Sequence, residues 1–473
     1  MPLWPLAPLV VIVVLGYVTY ELWRGNPWQV IIAVGALAVG YLYYFVYPLP
    51  TTSQPLDDAR SRPRRARCRR RGRSSDGPGN RVRGSPHNRI QCGQAMTATE
   101  GGREATRRAR DYRIELDGIP GRWNAITDVA GVEVGYRTLI DGGGALEQGY
   151  GPVRTGVTAI LPLGRDRIGT SCPAGWFSLN GNGEMTGTAW LDEVGALSLP
   201  IGITNTHAVG AVHRGIIDWS VRQNPKLAPR WHLPVVAETW DGYLNDINGP
   251  HITGDVTMQA LDAARSGPVP EGSVGGGTGM NCYAFKGGTG TASRQAQIGA
   301  RTYTVGTLMQ ANFGSRKELV IAGHRLGPEL TGNNPMEDTD WFSPPAAGSC
   351  ITVVATDAPL LPGQCKALAR RVPLGLARTG TTGSHFSGDL FLAFSATNAG
   401  ALDSSFDSQT SPDVLGVLEF LPWGKMDALY EAVVQCVEET VLNVLVAGRT
   451  MTGRDNHVSP GFPVDRLPQL LAQ

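Results

Sequence analysis

The feature that most constrains this chain is a strand that begins with a small hydroxyl residue. A Pro-Pro-Ala-Ala-Gly lead-in ends at Gly348, and Ser349 is followed by the largely β-branched, apolar run 350–356. Such a run, bounded by Pro and Gly on one side and by Asp357-Ala-Pro359 on the other, predicts a buried strand. The pattern therefore predicts a hydroxyl nucleophile at the mouth of a buried strand.

Composition excludes several classes of function. The 473 residues carry 42 Lys and Arg against 41 Asp and Glu, so net charge indicates no partner and no specific nucleic-acid ligand. The hydrophobic share of 42% suffices for a large core. The seven cysteines form no Cys-x-x-Cys pair, which argues against a zinc ribbon or a thioredoxin-like site and suits a reducing compartment.

The N-terminal region differs sharply from the rest of the chain. Residues 5–23 and 28–49 are apolar runs of about membrane-helix length, separated by the polar turn 24–27. A signal peptide is the alternative, but the chain lacks a basic start and a small-residue cleavage site before the second run. We expect a two-helix transmembrane hairpin over residues 1–50.

Residues 51–110 are rich in Arg, Ser, Gly and Pro, and we expect a disordered linker there. The arginines would place the following domain on the cytoplasmic side of the membrane. Three interpretations stay open: a basic arm for anionic lipid or nucleic acid, a solvated linker, or a start of translation near Met96. The last would leave a cytoplasmic protein without the hairpin.

From Tyr112 onward, apolar runs alternate with Gly, Asn and Asp turns, which predicts a layered α/β architecture without internal repeats. Helical spacing and β-branched runs are the two signals used to place the elements. The predicted helices are 207–222, 254–266, 361–376 and 425–445, and the predicted strands include 303–311, 318–321, 350–356 and 389–397.

Two other conspicuous features do not indicate a cofactor site. The glycine run 275–279 lacks the Lys-Ser/Thr of a phosphate-binding loop, so we expect close backbone packing or a substrate-facing loop. His207, His213 and His232 lack the His-Glu-x-x-His spacing of a zinc enzyme, and no metal site is expected. His385 lies near the proposed site, but sequence order alone does not establish a Ser-His-Asp triad.

Several motifs together resemble one family over residues 112–473. They are Gly118-Ile-Pro-Gly121, Asn180-Gly-Asn-Gly-Glu-Met-Thr-Gly187, Thr204-Asn-Thr-His207, Ala237-Glu-Thr-Trp-Asp-Gly-Tyr-Leu-Asn-Asp246, Gly275-Gly-Gly-Thr-Gly-Met280, Thr356-Asp-Ala-Pro-Leu-Leu-Pro362 and Gly388-Asp-Leu-Phe-Leu-Ala-Phe-Ser395. In this order they resemble the DmpA family of L-aminopeptidase/D-esterases and β-aminopeptidases.

The resemblance implies a four-layer αββα sandwich, similar to N-terminal-nucleophile hydrolases, over residues 111–473. It also implies a precursor that cuts itself between Gly348 and Ser349. The products would be an α chain ending at Gly348 and a β chain of residues 349–473. A homo-oligomer, a tetramer of αβ units, is the implied assembly.

Elementary chemistry agrees with this scheme. A Ser hydroxyl is a weak nucleophile until a base takes its proton, and an N-terminal amine with a pKa near 8 can be that base. Before cleavage the nitrogen of Ser349 belongs to an amide and cannot serve. Gly348 gives the backbone freedom to bend, so that Ser349 can attack the preceding carbonyl.

The resemblance assigns catalytic helpers residue by residue. Ser387 and Asp389 match a Ser-x-acid pair that orients the nucleophile. Because residues i and i+2 share one face of a strand, both side chains are expected to point at Ser349. Asn312 matches an amide that stabilises the oxyanion of the tetrahedral intermediate. Structural roles, a strand-edge acid and a hairpin-turn amide, are the alternatives.

Three residues are candidates for substrate binding. Glu238 matches an acid that binds the ammonium group of the substrate; the alternative is a structural ion pair. The family often has Tyr where this chain has Trp240, and an indole lacks a hydroxyl acceptor. Tyr243 is the candidate replacement.

We therefore predict a self-processing serine aminopeptidase that acts on small peptides, amino-acid amides or esters. An acyltransferase similar to ornithine acetyltransferases is one alternative, which preferred acetyl transfer over hydrolysis would indicate. A non-catalytic, membrane-tethered binding protein is the other, and salt-sensitive binding of residues 51–110 to anionic vesicles would indicate it.

Overall fold

The computed structural model describes residue 24 and residues 107–336, 348–404 and 415–472. The chain divides into two units, residues 1–96 and 97–473, and the sheets belong to the second. Its strands are β1 (Glu133–Asp141), β2 (Val153–Leu161), β3 (Cys172–Ser178), β4 (Ala196–Leu197), β5 (Ile201–Asn205), β6 (Val235–Thr239), β7 (Asn281–Cys282), β8 (Phe285–Lys286), β9 (Gly288–Ile298), β10 (Arg301–Asn312), β11 (Val320–Ile321), β12 (His324–Arg325), β13 (Gly348–Thr356), β14 (Ser387–Ser395), β15 (Met451–Thr452) and β16 (Val458–Ser459).

The α-helices of the described residues comprise five that overlap the four predicted ranges and two short ones that were not predicted. They are α1 (Thr188–Glu193), α2 (Val209–Gln223), α3 (Gly254–Asp262), α4 (Pro362–Ala369), α5 (Val372–Arg378), α6 (Asp427–Ala447) and α7 (Leu467–Leu470). The predicted helix 361–376 is two helices, because Pro373 lies in the first turn of α5. A Pro there has no N–H to donate and starts a new helix instead of continuing the old one.

Two sheets form the framework. The smaller has the strand order β1-β2-β5-β6 and the larger has the order β4-β3-β14-β13-β10-β9. In the larger sheet β13 pairs parallel with β14 and antiparallel with β10. The predicted strand 350–356 is therefore a central strand, which explains its largely apolar run.

Three hydrophobic clusters show how the elements pack. One lies between the two sheets and includes Ile203 of β5 and Ile351 of β13. A second joins the larger sheet to α4, α5 and α6, and a third joins the smaller sheet to α2 and α3. The sequence of layers is thus helices, sheet, sheet, helices, and the predicted α/β class is confirmed.

The glycine run 275–279 is a buried 3₁₀ turn against the smaller sheet. A side chain at Gly276 would meet the Ile203 carbonyl oxygen at 2.7 Å, and one at Gly277 would meet the Thr289 nitrogen at 2.5 Å. Both distances are shorter than any van der Waals contact, so close backbone packing requires glycine here.

The folded unit begins slightly before the expected boundary at residue 111. Arg108 forms an ion pair with Glu271 at 2.7 Å, and Arg110 forms one with the buried Glu439 at 2.9 Å. Between them, Ala109 is fully buried. The end of the Arg-rich segment is therefore part of the packed unit.

The predicted membrane anchoring needs correction. Among the described residues, no helix is long and apolar enough to cross a bilayer. The longest, α6, spans 21 residues but carries Glu431, Glu438 and Glu439 and packs on the larger sheet. This finding contradicts the predicted membrane-anchored localisation. The predicted hairpin at 1–50, apart from Arg24, and the linker as far as residue 106 lie outside the described residues.

Candidate active site

Ser349 lies at the start of β13, between two strands of the larger sheet. It pairs with Asn312 of β10 on one side and with Gly388 of β14 on the other. The backbone N–H of Gly388 donates to Ser349 Oγ at 3.3 Å. The side chain is 4% exposed, so the hydroxyl has a fixed environment instead of moving in solvent.

The alternation of β13 determines where the hydroxyl points. Ile351 and Val353 pack in the cluster between the sheets, whereas Cys350 and Val354 pack toward the helices. Because side chains alternate along a strand, Ser349 shares the face of Ile351 and Val353. Its hydroxyl therefore points toward the space between the two sheets.

Gly348, the residue before the proposed cut, leaves no room for a side chain. A Cβ at this position would lie 2.8 Å from the carbonyl carbon of Asn312 and closer still to its oxygen. The Gly348–Ser349 peptide bond is therefore held tightly against the end of β10. This close approach explains why glycine stands before the serine.

Ser387 and Asp389 form a hydrogen-bonded pair, but on the opposite face from the Ser349 hydroxyl. Ser387 Oγ donates to Asp389 Oδ1 at 2.6 Å. The register places Ser349 opposite Gly388, and Asp389 opposite Cys350. Sharing a face within one strand does not determine the phase between strands, so the register places the pair on the other face of the sheet from the Ser349 hydroxyl. That the pair orients Ser349 stays a prediction.

The same register brings the pair close to the backbone of β13. Burial raises the pKa of Asp389, although the hydrogen bonds from Ser387 and Asn180 and the Cys350 backbone N–H lower it. The nitrogen of Ser349 is the next one along this strand, a few ångströms away. The pair is thus in register with the residues on either side of the nitrogen that cleavage would convert into an amine.

Asn180 is a functional candidate to which the sequence analysis gave no role. Its Nδ2 donates to Asp389 Oδ2 at 3.0 Å, and its Oδ1 accepts the Asp389 backbone N–H at 2.6 Å. This two-point contact fixes the carboxylate relative to β14. The Asn-Gly-Asn-Gly sequence was recognised as a motif, but a turn sequence does not reveal what its side chains contact.

The loop that follows Asn180 connects Ser349 with Glu238. Gly183 packs against Gly388, where a Cβ on Gly388 would meet Gly183 Cα at 2.6 Å. A Cβ on Gly183 would in turn lie 3.3 Å from Glu238 Oε1. The carboxylate of Glu238 and the hydroxyl of Ser349 therefore flank the same pair of glycines.

Asn312 is held in a defined orientation. Its Oδ1 accepts the backbone N–H of Asn281 at 2.8 Å, and its Nδ2 donates to the carbonyl of Trp240 at 2.9 Å. An amide nitrogen has two N–H donors, so one donor is left for a further acceptor. As the cross-strand partner of Ser349, Asn312 lies on the same face of the sheet as that hydroxyl.

Glu238 is buried at the end of β6, and its environment is built to accept hydrogen bonds. The Glu184 backbone N–H donates to Oε1 at 2.8 Å, and the Thr206 hydroxyl donates to Oε2. Burial raises the pKa of Glu238 in spite of these donors. No salt bridge to Glu238 occurs among the described residues, so the structural ion pair is not observed there.

The two aromatic candidates differ. Trp240 contributes its carbonyl to the Asn312 contact and is half-buried. Tyr243 is buried, its hydroxyl donates to the Val458 carbonyl at 3.3 Å, and its ring stacks on His457 at 4.7 Å. Burial raises the pKa of Tyr243 to about 12. These contacts place Tyr243 in the packing around β16.

Histidines among the described residues contact polar and aromatic neighbours. No group of three or more His, Cys, Asp or Glu suited to a metal ion occurs in the described ranges. His207 Nδ1 is 2.9 Å from Asn248 Oδ1, and His385 packs edge-on against Phe386.

Comparison with known proteins identifies the family. Residues 124–459 match peptidase family S58. The beta-peptidyl aminopeptidase BapA of Sphingosinicella microcystinivorans is 48% identical over 369 residues, which cover 76% of this chain and 89% of that protein. The beta-peptidyl aminopeptidase BapA of Sphingosinicella xenopeptidilytica is 46% identical over 77% of this chain and 90% of that protein.

A solved structure agrees with this assignment. The L-aminopeptidase D-Ala-esterase/amidase from Ochrobactrum anthropi is described as a prototype for the serine aminopeptidases and as a new variant among the Ntn-hydrolase fold. It is similar with a TM-score of 0.71 and 42% identity, over 77% of this chain and 98% of that chain. The chain therefore belongs to peptidase family S58 and is an aminopeptidase.

Proposed function

We propose that this aminopeptidase activates itself by cutting the Gly348–Ser349 bond and then uses Ser349 as its N-terminal nucleophile. The observation that carries the proposal is the position of Ser349. It lies between Asn312 and Gly388, and the hydrogen-bonded Ser387 and Asp389 are in register with its two chain neighbours. Asn312, the proposed hydrogen-bond donor to the oxyanion, and Asp389, the proposed orienting acid, therefore belong to the two strands on either side of Ser349.

Self-cleavage needs no group from outside the chain except water. Ser349 Oγ attacks the carbonyl carbon of Gly348, and its proton passes to the departing nitrogen as the C–N bond breaks. The product is an ester between Gly348 and Ser349 Oγ, with a free amine on Ser349. Water then hydrolyses the ester and leaves a carboxylate on Gly348.

The freed amine supplies the base for turnover. It takes the proton of Ser349 Oγ while the oxygen attacks the carbonyl of the substrate. The free N–H of Asn312 stabilises the oxyanion that develops. The leaving amine takes the proton, and water releases the acyl group by the same steps. The Ser387–Asp389 pair, held by Asn180, orients the amine.

Glu238 supports recognition of an N-terminal ammonium group. A buried carboxylate without a salt bridge in the described structure is costly unless a cation joins it. A substrate ammonium at this position would place the first peptide bond near Ser349. We propose small peptides, amides and esters as substrates, including those with an N-terminal β-amino acid, as the names of the BapA relatives suggest.

The remaining features implied by the family resemblance are part of the proposal. The layer order described above supports a four-layer αββα arrangement. A homotetramer of αβ units stays a prediction, which light scattering of the purified protein tests.

The experiment compares wild-type protein with Ser349→Ala. Release of p-nitroaniline is measured from anilides of a β-amino acid and of the matching α-amino acid, and chain integrity is followed on a denaturing gel. We expect two chains and activity from the wild type, and one intact, inactive chain from the variant. Activity in folded Ser349→Ala would contradict the proposal.

A further inference from the structure

Lys286 is a buried cation that the mechanism above does not use. It is fully buried at the end of the short strand β8. Its ammonium donates to the Met280 carbonyl at 2.7 Å and to the Gly287 carbonyl at 2.9 Å. Neither acceptor in this described segment is a carboxylate, so two backbone dipoles hold the charge.

Burial of a lysine ammonium group at this position is energetically unfavourable, so its presence needs an explanation. Taking an ammonium group out of water without a counter-ion carries a large desolvation penalty. Burial lowers the pKa of Lys286 to about 7. A Leu or Met would fill the same space without that penalty.

The Met280–Asn281 peptide group connects Lys286 with Asn312. Its carbonyl oxygen accepts a hydrogen bond from the Lys286 ammonium, and its N–H donates to Asn312 Oδ1 at 2.8 Å. Both ends of one peptide group are thus bonded. A positive charge on the carbonyl end strengthens the N–H as a donor, because hydrogen bonds in a chain polarise one another.

The chain of hydrogen bonds continues into the Asn312 amide. Because the Asn281 N–H can only donate, its hydrogen bond to Oδ1 fixes which end of the amide carries oxygen and which carries nitrogen. Pulling electron density toward Oδ1 makes the Nδ2 hydrogens more positive. These hydrogens include the donor proposed to stabilise the oxyanion.

We infer that Lys286 is a positioning residue for the oxyanion site: through the Met280–Asn281 peptide group, it orients the Asn312 amide and strengthens it as a donor. This inference rests on the proposed function, since it requires that Asn312 stabilise an oxyanion. Lys286 itself touches neither the substrate nor the reacting atoms.

The test is a double-mutant cycle between Lys286→Met and Asn312→Ala, read as kcat and KM per mole of processed chain. Removal of a whole oxyanion donor costs about 100-fold or more in kcat, so its weakening should cost roughly tenfold, with KM little changed. In the Asn312→Ala background, Lys286→Met should cause no further loss, because its effect passes through the amide.

Two further variants separate charge from folding. Lys286→Gln keeps a donor for the Met280 carbonyl but carries no charge, and we expect the same loss of kcat with a native circular dichroism spectrum. Lys366→Met removes an exposed lysine that pairs with Asp192, and we expect wild-type kcat. If Lys286→Met does not fold, Lys286→Gln takes its place in the cycle.

The possible results discriminate between the inference and the function on which it rests. Losses that multiply in the double variant, or an unchanged kcat in folded Lys286→Gln, would overturn the inference. If Asn312→Ala itself had no effect on kcat, the role of Asn312 in the proposed function would fail instead. Wild-type kinetics for every lysine variant would refute the role of Lys286 alone.

Discussion

Replacement of Gly348 by Ala tests how closely the scissile bond is held. The new Cβ would lie 2.8 Å from the carbonyl carbon of Asn312. Carbon atoms in contact are separated by about 3.5–4.0 Å, so the start of β13 must move by roughly 1 Å. A misplacement of about 1 Å at reacting groups costs about 100-fold in rate. We therefore expect self-cleavage to slow about 100-fold.

The assay follows conversion of the intact chain into two chains on a denaturing gel after synthesis, with folding checked by thermal unfolding. Gly210→Ala is the matched control, because its Cβ meets nothing within 4 Å; we expect wild-type cleavage. After cleavage, residue 348 is no longer bonded to Ser349, so turnover per mole of processed chain should be close to wild type. Wild-type cleavage in Gly348→Ala would refute the close contact at the scissile bond.

Three further variants test the site. Asn312→Ala should lower kcat about 100-fold with a smaller effect on KM, measured with an anilide substrate, and an unchanged kcat would argue against an oxyanion role. Glu238→Gln should lower kcat/KM about 30-fold or more for substrates with a free ammonium group, while kcat/KM for an ester without that group should be unchanged. Burial raises the pKa of Asp389 above its ordinary 3.8. Activity that needs the ionised carboxylate should therefore fall as the pH is lowered through that raised pKa. The pH–rate profile of Asp389→Asn should lack this acidic limb.

The local pattern of β13 could be predicted from sequence, because its residues carry their own evidence. The β-branched run after Ser349 indicated a buried strand, and the structure places it at the centre of the larger sheet. Ser387 and Asp389 were expected to share a face, and their hydrogen bond agrees with that. Within one strand, alternation suffices for such predictions.

What the sequence could not supply is the relation between elements. The phase between β13 and β14 puts Gly388, not Ser387 or Asp389, opposite Ser349, and a shift of one residue would reverse it. The contact of Asn180 with Asp389 joins positions more than 200 residues apart and leaves no local signal. The buried charge of Lys286 is likewise invisible in a sequence that reads as an ordinary turn.

The most direct test of the central claim is the N-terminal sequence and intact mass of the smaller chain of the purified enzyme, before and after reaction with a serine-directed inhibitor. We predict that the chain begins Ser-Cys-Ile-Thr at residue 349 and that the inhibitor adds its mass to this chain alone. An active enzyme in one intact chain, a cut at another bond, or inhibitor on the larger chain would contradict the account.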